Sequence, residues 1–273
     1  MKQIKLFTKE VLGVLGKPVM SVLPGHLSFF LLLSSIPIIL IFGMVASAFS
    51  LSYDEILRFI SLSLPATTSK LILPLFTGKT LDFSVVLLAI SAIYLASRGT
   101  KAIIAAANNI YGVKNNPIRE IVKSLIITLL LISLLVFIVF ILVFGNKILE
   151  IVSVIPKIGF LGSKILLLIR FLRWPISFFI IFLFIKMIYT LTPNKKISSK
   201  SVNKGSFFTT ALWIIITYIY SFYVTNYASY NDYYGSASNI LVLMLWIFII
   251  SEVFVIGMVI NQIEDKKLNE PSL

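Results

Sequence analysis

Cysteine is absent from this 273-residue chain, and histidine occurs once, at His26. The first absence excludes disulfides and thiolate metal sites, and the second excludes multi-histidine metal sites. Charge is scarce as well, at 13% of residues, against roughly 25% in an average soluble domain. Apolar residues fill the space: 58% of the chain is hydrophobic and the mean hydropathy is +1.00, more than a soluble fold of this size can bury. No Gly-x-x-x-x-Gly-Lys-Ser/Thr loop occurs, which excludes nucleotide hydrolysis by that route. No compact apolar core with a small-residue cleavage site precedes Pro24, so the N-terminus is expected to be retained.

Six apolar runs meet the roughly 20-residue requirement for crossing a bilayer, at about 27–50, 81–97, 121–145, 169–192, 206–226 and 238–262. Their apolarity is continuous rather than alternating, which selects helices over a barrel. The predicted fold class is therefore an all-α polytopic membrane protein with six transmembrane helices and short interfacial helices. One interfacial helix is expected at Ser52-Tyr53-Asp54-Glu55, a capping box ahead of Pro65. Lys and Arg in the flanks number fifteen on the side of both termini and six on the other, so the N- and C-termini are expected in the cytoplasm. This divides the chain into a cytoplasmic amphipathic segment (1–25), a six-helix membrane domain (26–263) and a cytoplasmic tail (264–273). The formal charge of +13 then reads as a topology signal, and no nucleic-acid partner is expected.

Several polar residues are costly in a bilayer. Glu252 lies about 14 residues into the sixth run, where a charge costs roughly 3 kcal/mol, so it should face other helices, pair with a cation or stay protonated. Lys186 is the partner nearest in depth, and the two readings are a structural tether or a substrate or proton site. Arg170 and Arg173 suit snorkelling to head groups, and His26 suits an interface. Pro37 should kink the first helix, with the Ser34 and Ser35 hydroxyls available to the freed carbonyls. An external stretch at 226–239 holds four tyrosines and contributes Asn231 and Tyr234 as candidates at a polar mouth.

The stretch YLASRGTKAIIAAANNIYGV, residues 94–113, turns from apolar to cationic at Arg98. On a helix Arg98, Lys101, Ala105, Asn108 and Gly112 share a sector of about 80°, with Ile103, Ile104, Ala107, Ile110 and Tyr111 opposite. Gly99, Ala102, Ala106 and Asn109 form a small-residue strip between them, suited to close helix contact. The expectation is an interfacial helix after the second span, acting either as a positive-inside anchor or as a contact for an anionic head group or substrate through Arg98, Lys101 and Asn108.

These motifs in order resemble the YihY/BrkB family of bacterial inner-membrane proteins. The resemblance rests on Ser28-Phe29-Phe30, Ser34-Ser35-Ile36-Pro37, Ser97-Arg98-Gly99, Ala106 to Gly112, Tyr189 with Pro193, Gly205-Ser206, Ala211-Leu212-Trp213, Tyr220 to Ser236, Trp246 and Gly257. It covers about residues 26–262. Many relatives read Gly-Ala-Glu near the end of the last helix, where this chain reads Gly257-Met258-Val259, and the role of that glutamate does not transfer to Glu252. The resemblance implies a multi-pass location in the inner membrane and movement of envelope lipid or its precursors. Some relatives carry a ribonuclease label, against which this chain sets one histidine and few carboxylates for metal-assisted cleavage.

Transport or facilitated movement of a lipid, other amphiphile or small anionic solute is thus the leading expectation. A non-transporting scaffold in envelope assembly is the alternative, and a membrane enzyme the third. Membrane lipids, including anionic ones, are the expected partners and no cofactor is expected. Oligomeric state is left open.

Overall fold

The computed structural model describes residues 2–48, 83–114, 116–133, 175, 177–227 and 236–269. Among these residues every regular element is helical. Seven helices follow in order: α1 (Lys2–Leu15), α2 (Pro18–Ala48), α3 (Phe83–Tyr111), α4 (117–133), α5 (Ser177–Leu191), α6 (Asn203–Tyr227) and α7 (Ser236–Asn269). The chain divides into two compact units, one of residues 1–34, 97–125 and 180–273, the other of residues 35–96 and 126–179.

Among the described residues two helices are long and apolar enough to cross a membrane, over Asn203–Val224 and Leu241–Asn269. A third candidate is the pair Lys9–Leu15 and Met20–Ser34, bent by 68°. The break falls at Gly16-Lys17-Pro18, where Pro18 opens α2 in the first helical turn, a position that needs no N–H. The other expected spans fall partly outside the described residues, as do the capping box at 52–55, Arg170, Arg173, Asn231 and Tyr234. Within α2 the Ser34 hydroxyl donates to the Leu31 carbonyl at 3.0 Å, not to the Leu33 carbonyl that Pro37 frees.

One expectation is corrected. The second apolar run does not end at Arg98 to be followed by a separate interfacial helix, because α3 continues unbroken from Phe83 to Tyr111. The reason is local and tertiary at once. Alanines 102 and 105–107 are strong helix formers, and Ser97, Gly99 and Thr100 around the cationic residue are buried. A Cβ at Gly99 would collide with the Ser34 hydroxyl and lie 3.3 Å from the Phe30 carbonyl, so this glycine lets α3 press against α2.

Within the first unit α6 and α7 run antiparallel. Gly205 meets Gly257 and Asn261, the Trp213 indole N–H donates to the Ile250 carbonyl at 2.9 Å, and Tyr220 stacks on Trp246 with ring centroids 5.2 Å apart. Rising position on α6 thus pairs with falling position on α7. The α5 helix joins this pair through Tyr189, fully buried, which donates to the Phe254 carbonyl at 2.8 Å and lies 2.7 Å from the Thr209 hydroxyl. With the tyrosine proton committed to Phe254, Thr209 is the donor of the second bond.

Candidate functional site

The polar residues of the first unit collect where α3 ends, α4 begins, α5 ends, α6 begins and α7 ends. Each of these termini is built by a recognisable local device. The α3 helix stops at Gly112, whose φ of +64° suits a residue without a Cβ. Val113 N–H reaches back to the Asn108 carbonyl at 2.8 Å and Gly112 N–H to that of Asn109 at 3.4 Å, the paired bonds of a Schellman end. Asn116 then caps α4, accepting the Arg119 N–H at 3.2 Å, and Pro117 takes the first helical position. Thr192 and Pro193 close α5, since a residue before proline is pushed out of the helical region.

These ends are tied together by buried side chains. Asn108, with no exposed surface, donates from Nδ2 to Glu120 Oε1 at 3.0 Å and accepts the Asn194 N–H at 2.8 Å. Lys123 sets its ammonium on the carbonyls of Thr192 and Pro193, at 3.0 and 2.7 Å, and on Asn194 Oδ1 at 3.3 Å. A cation there satisfies the orphan carbonyls and the negative dipole end of α5. Asp265, 1% exposed, accepts from Lys195 at 2.7 Å and from Asn269 at 3.0 Å, with the Ser201 hydroxyl at 3.2 Å. Asn261 Oδ1 takes the Gly205 N–H at 2.7 Å, capping from α7 one of the unpaired donors in the first turn of α6.

Tyr111 lies against this network. Lys195 Nζ is 5.8 Å from the centre of its ring. Burial, and secondarily the Asp265 carboxylate, push the Tyr111 hydroxyl well above the ordinary tyrosine range, so it keeps its proton. Two further ion pairs lie at the rim, Lys204–Glu264 at 2.8 Å and Lys267–Glu10 at 2.7 Å, the second with both side chains about half exposed.

The candidates singled out from the sequence are not all gathered here. Asn108 is at the centre, but it does not share an open face with Arg98 and Lys101: Arg98 is exposed and Lys101 half-buried, while Asn108 is covered and points at Glu120 and Asn194. Glu252 and Lys186, half-buried on α7 and α5, do not form an ion pair; Lys186 Nζ instead stands 6.0 Å from the Phe182 ring centre. No hydrogen bond or ion pair joins Glu252 to another described residue. Glu120, Lys123, Asn194, Asn261 and Asp265 are the site residues that sequence reasoning passed over. A signal existed for one of them, since Asn116-Pro117 announces a helix start and places Glu120 in its first turn. Among the described residues no group of three His, Asp or Glu side chains is arranged to hold a metal ion.

The family model for Virulence factor BrkB matches residues 13–272. YfkH of Bacillus subtilis, whose name calls it ribonuclease-like, is 30% identical over 258 residues, covering 90% of this chain and 90% of its own. A UPF0761 membrane protein of Idiomarina loihiensis is 26% identical over 102 residues, 37% of this chain and 36% of that protein. A further UPF0761 membrane protein, from Haemophilus influenzae, is 32% identical over 97 residues, 36% of this chain and 34% of its own. No solved structure matches the chain.

Proposed function

The chain is a membrane protein that belongs to the Virulence factor BrkB family, and on that premise we propose that it moves, or helps to move, an amphiphile such as a lipid, or a small anionic solute. The observation that supports this is the buried polar cluster at one end of two strongly apolar helices. An inert membrane anchor has no use for Glu120, Lys123, Asn194, Asn261 and Asp265 gathered at five helix ends, and intramembrane or membrane-edge polar groups commonly mark a path for substrate. The resemblance motifs Tyr189, Gly205 and Gly257 converge on the same end. The reading sets the chain in the bacterial inner membrane, with six spans and both termini in the cytoplasm. Movement of a solute needs no covalent chemistry, and the ribonuclease-like name of YfkH is not carried over.

Reconstitution of the purified full chain in liposomes tests it. Labelled phospholipid should scramble, or a tested anion should flow, faster than in empty liposomes, with or without a proton gradient. If no lipid and no solute moves under either condition, the reading fails.

One observation favours a second reading, a scaffold in envelope assembly. The buried charges of the cluster are partnered inside the chain, as a structural clamp requires. Glu120→Gln, which keeps the Oε1 acceptor for the Asn108 amide and removes the charge, separates the two. A folded, abundant but inactive variant supports transport, whereas loss of abundance or of a bound partner supports the scaffold.

A further inference from the structure

Glu252 and Lys186 stand at one level of the first unit. Tyr189 of α5 donates to the Phe254 carbonyl and comes against Gly257 of α7, and farther on Lys195 meets Asp265, so α5 and α7 advance in the same direction. Lys186 lies three residues before Tyr189, and Glu252 lies two before Phe254 and five before Gly257. At roughly 1.5 Å per residue both charges sit about one turn before that contact. They do not meet within the chain because α7 turns them apart. At about 100° per residue Glu252 is about 140° round the helix from Gly257.

Each charge lies instead on the outer, apolar side of its own helix. On α7 the exposed residues Leu241, Leu245, Phe248 and Ile249 share with Glu252 a sector of about 100°, and the glutamate is near its middle. On α5 Lys186 is within about 60° of exposed Leu183. Its ammonium stands 6.0 Å from the centre of the Phe182 ring, one turn back toward the start of α5. A lysine that snorkels to the nearer helix end at Thr192 extends the other way. Neither charged group makes a hydrogen bond or ion pair with another described residue.

Lipid tails cover the leucines and the phenylalanine but offer nothing to a carboxylate or an ammonium. A second copy of the chain offers a partner to both. Copies related by rotation about the membrane normal keep every residue at its depth, so Glu252 of one copy arrives at the level of Lys186 of the other. Two opposite charges matched in depth, each set in an exposed apolar face, are complementary between copies although not within one.

We propose that the outer faces of α5 and α7 join a second copy of this chain in the membrane, with Glu252 of one copy paired to Lys186 of the other. Such pairing requires α5 and α7 to lie in the bilayer and holds whatever the protein moves.

Energy transfer between full-length chains in liposomes tests it. The chain has no cysteine, so donor or acceptor dye goes on the exposed position of Lys266→Cys, and added lipid dilutes the protein. The otherwise unchanged chains are expected to associate. Glu252→Gln and Lys186→Met should each weaken association at least tenfold, and the double variant should be no weaker than either single one. Charge reversal gives the sharper result. Chains with Glu252→Lys and chains with Lys186→Glu should each fail to associate with themselves yet associate with one another, because only the mixture restores the opposite pairs. A tether inside one chain gives no such recovery. Absence of transfer between the unchanged chains, undiminished association of both neutral variants, or folded reversed chains that do not associate with one another overturns the pairing. Where a reversed chain does not fold, the neutral variants decide: weakened association supports the interface, and undiminished association sinks it.

Discussion

Gly205 and Gly257 meet backbone to backbone where α6 crosses α7. A Cβ on Gly205 would collide with the Gly257 carbonyl and with Asn261, and one on Gly257 would collide with the Thr209 hydroxyl and come within 2.6 Å of the Tyr189 hydroxyl. The crossing therefore sets the depth at which Tyr189, Thr209 and Asn261 engage α7. Overpacking a fitted contact costs about 1–3 kcal/mol and more where backbone must give way. Gly257→Ala and Gly205→Ala are expected to lower the unfolding midpoint of the purified protein well below that of Gly13→Ala. At Gly13 no atom lies within 4 Å of the added carbon, and alanine is the better helix former by about 0.5–1 kcal/mol. Equal midpoints for Gly257→Ala and the wild type would mean that the helices do not cross at this distance.

Asn108 and Asn109 are neighbours with opposite consequences. Replacing Asn108 by alanine strips the buried Glu120 carboxylate of its amide donor and the Asn194 N–H of its acceptor. Hydrogen bonds to charged groups contribute about 1.5–3 kcal/mol, and a second unpaired buried group adds to the loss. Asn109 is exposed, so Asn109→Ala is expected to stay within about 0.5 kcal/mol of the wild type. Chemical or thermal unfolding of both variants in the same detergent reads the difference, and similar losses would contradict the placement of Asn108.

The contrast shows what was legible in the sequence and what was not. The helical wheel sets Asn108 in one sector with Arg98 and Lys101, but an angle does not say what packs against each turn. Arg98 lies nearly three turns before Asn108, and only at Asn108 do α4 and the end of α5 arrive. The apolar runs gave away α6 and α7 because continuous hydropathy is a local property, and the small residues Gly99, Ala102 and Ala106 could be read as a contact strip. Lys123 and Asp265 carried no such mark. Each looked like one more flanking charge, and their partners at Thr192, Pro193 and Lys195 stand about 70 residues away in the chain. The pairing guessed for Glu252 and Lys186 rested on depth alone, which says nothing of the direction in which either helix turns its side chain.

Asp265 and Glu10 both accept a lysine at 2.7 Å, yet the two ion pairs should differ in strength. Asp265 is nearly fully buried and joins Lys195 and Ser201 to α7, so Asp265→Ala removes a charge-assisted bond of about 1.5–3 kcal/mol, while the half-exposed Lys195 ammonium turns to solvent. Glu10 and Lys267 are 46% and 47% exposed, and pairs like that contribute about 0–1 kcal/mol and weaken with salt. Asp265→Ala is therefore expected to lower the unfolding midpoint more than Glu10→Ala at any salt concentration, and Glu10→Ala to change it little. An unfolding series in low and high salt decides the matter, and a large, salt-sensitive loss for Glu10→Ala would reverse the order.

The absence of cysteine makes the expected topology directly measurable, because any thiol introduced is unique. The α6 and α7 helices run antiparallel and each is long enough to cross the membrane, and the proposed topology sets positions before α6 and after α7 on one side and position 231 on the other. From the bias of Lys and Arg the shared side is expected to be the cytoplasm. In spheroplasts of a bacterial host, a membrane-impermeant maleimide should label Asn231→Cys, and should label Lys196→Cys and Lys266→Cys only after the membrane is opened. Labelling of Lys196→Cys and Lys266→Cys from outside, with Asn231→Cys protected, would keep the two spans and invert the chain. Labelling of all three from one side would mean that α6 and α7 enter the membrane without crossing it. The cluster around Asp265 would then lie at the same face as the segment between the helices, and a route from one side of the bilayer to the other would lose its structural basis.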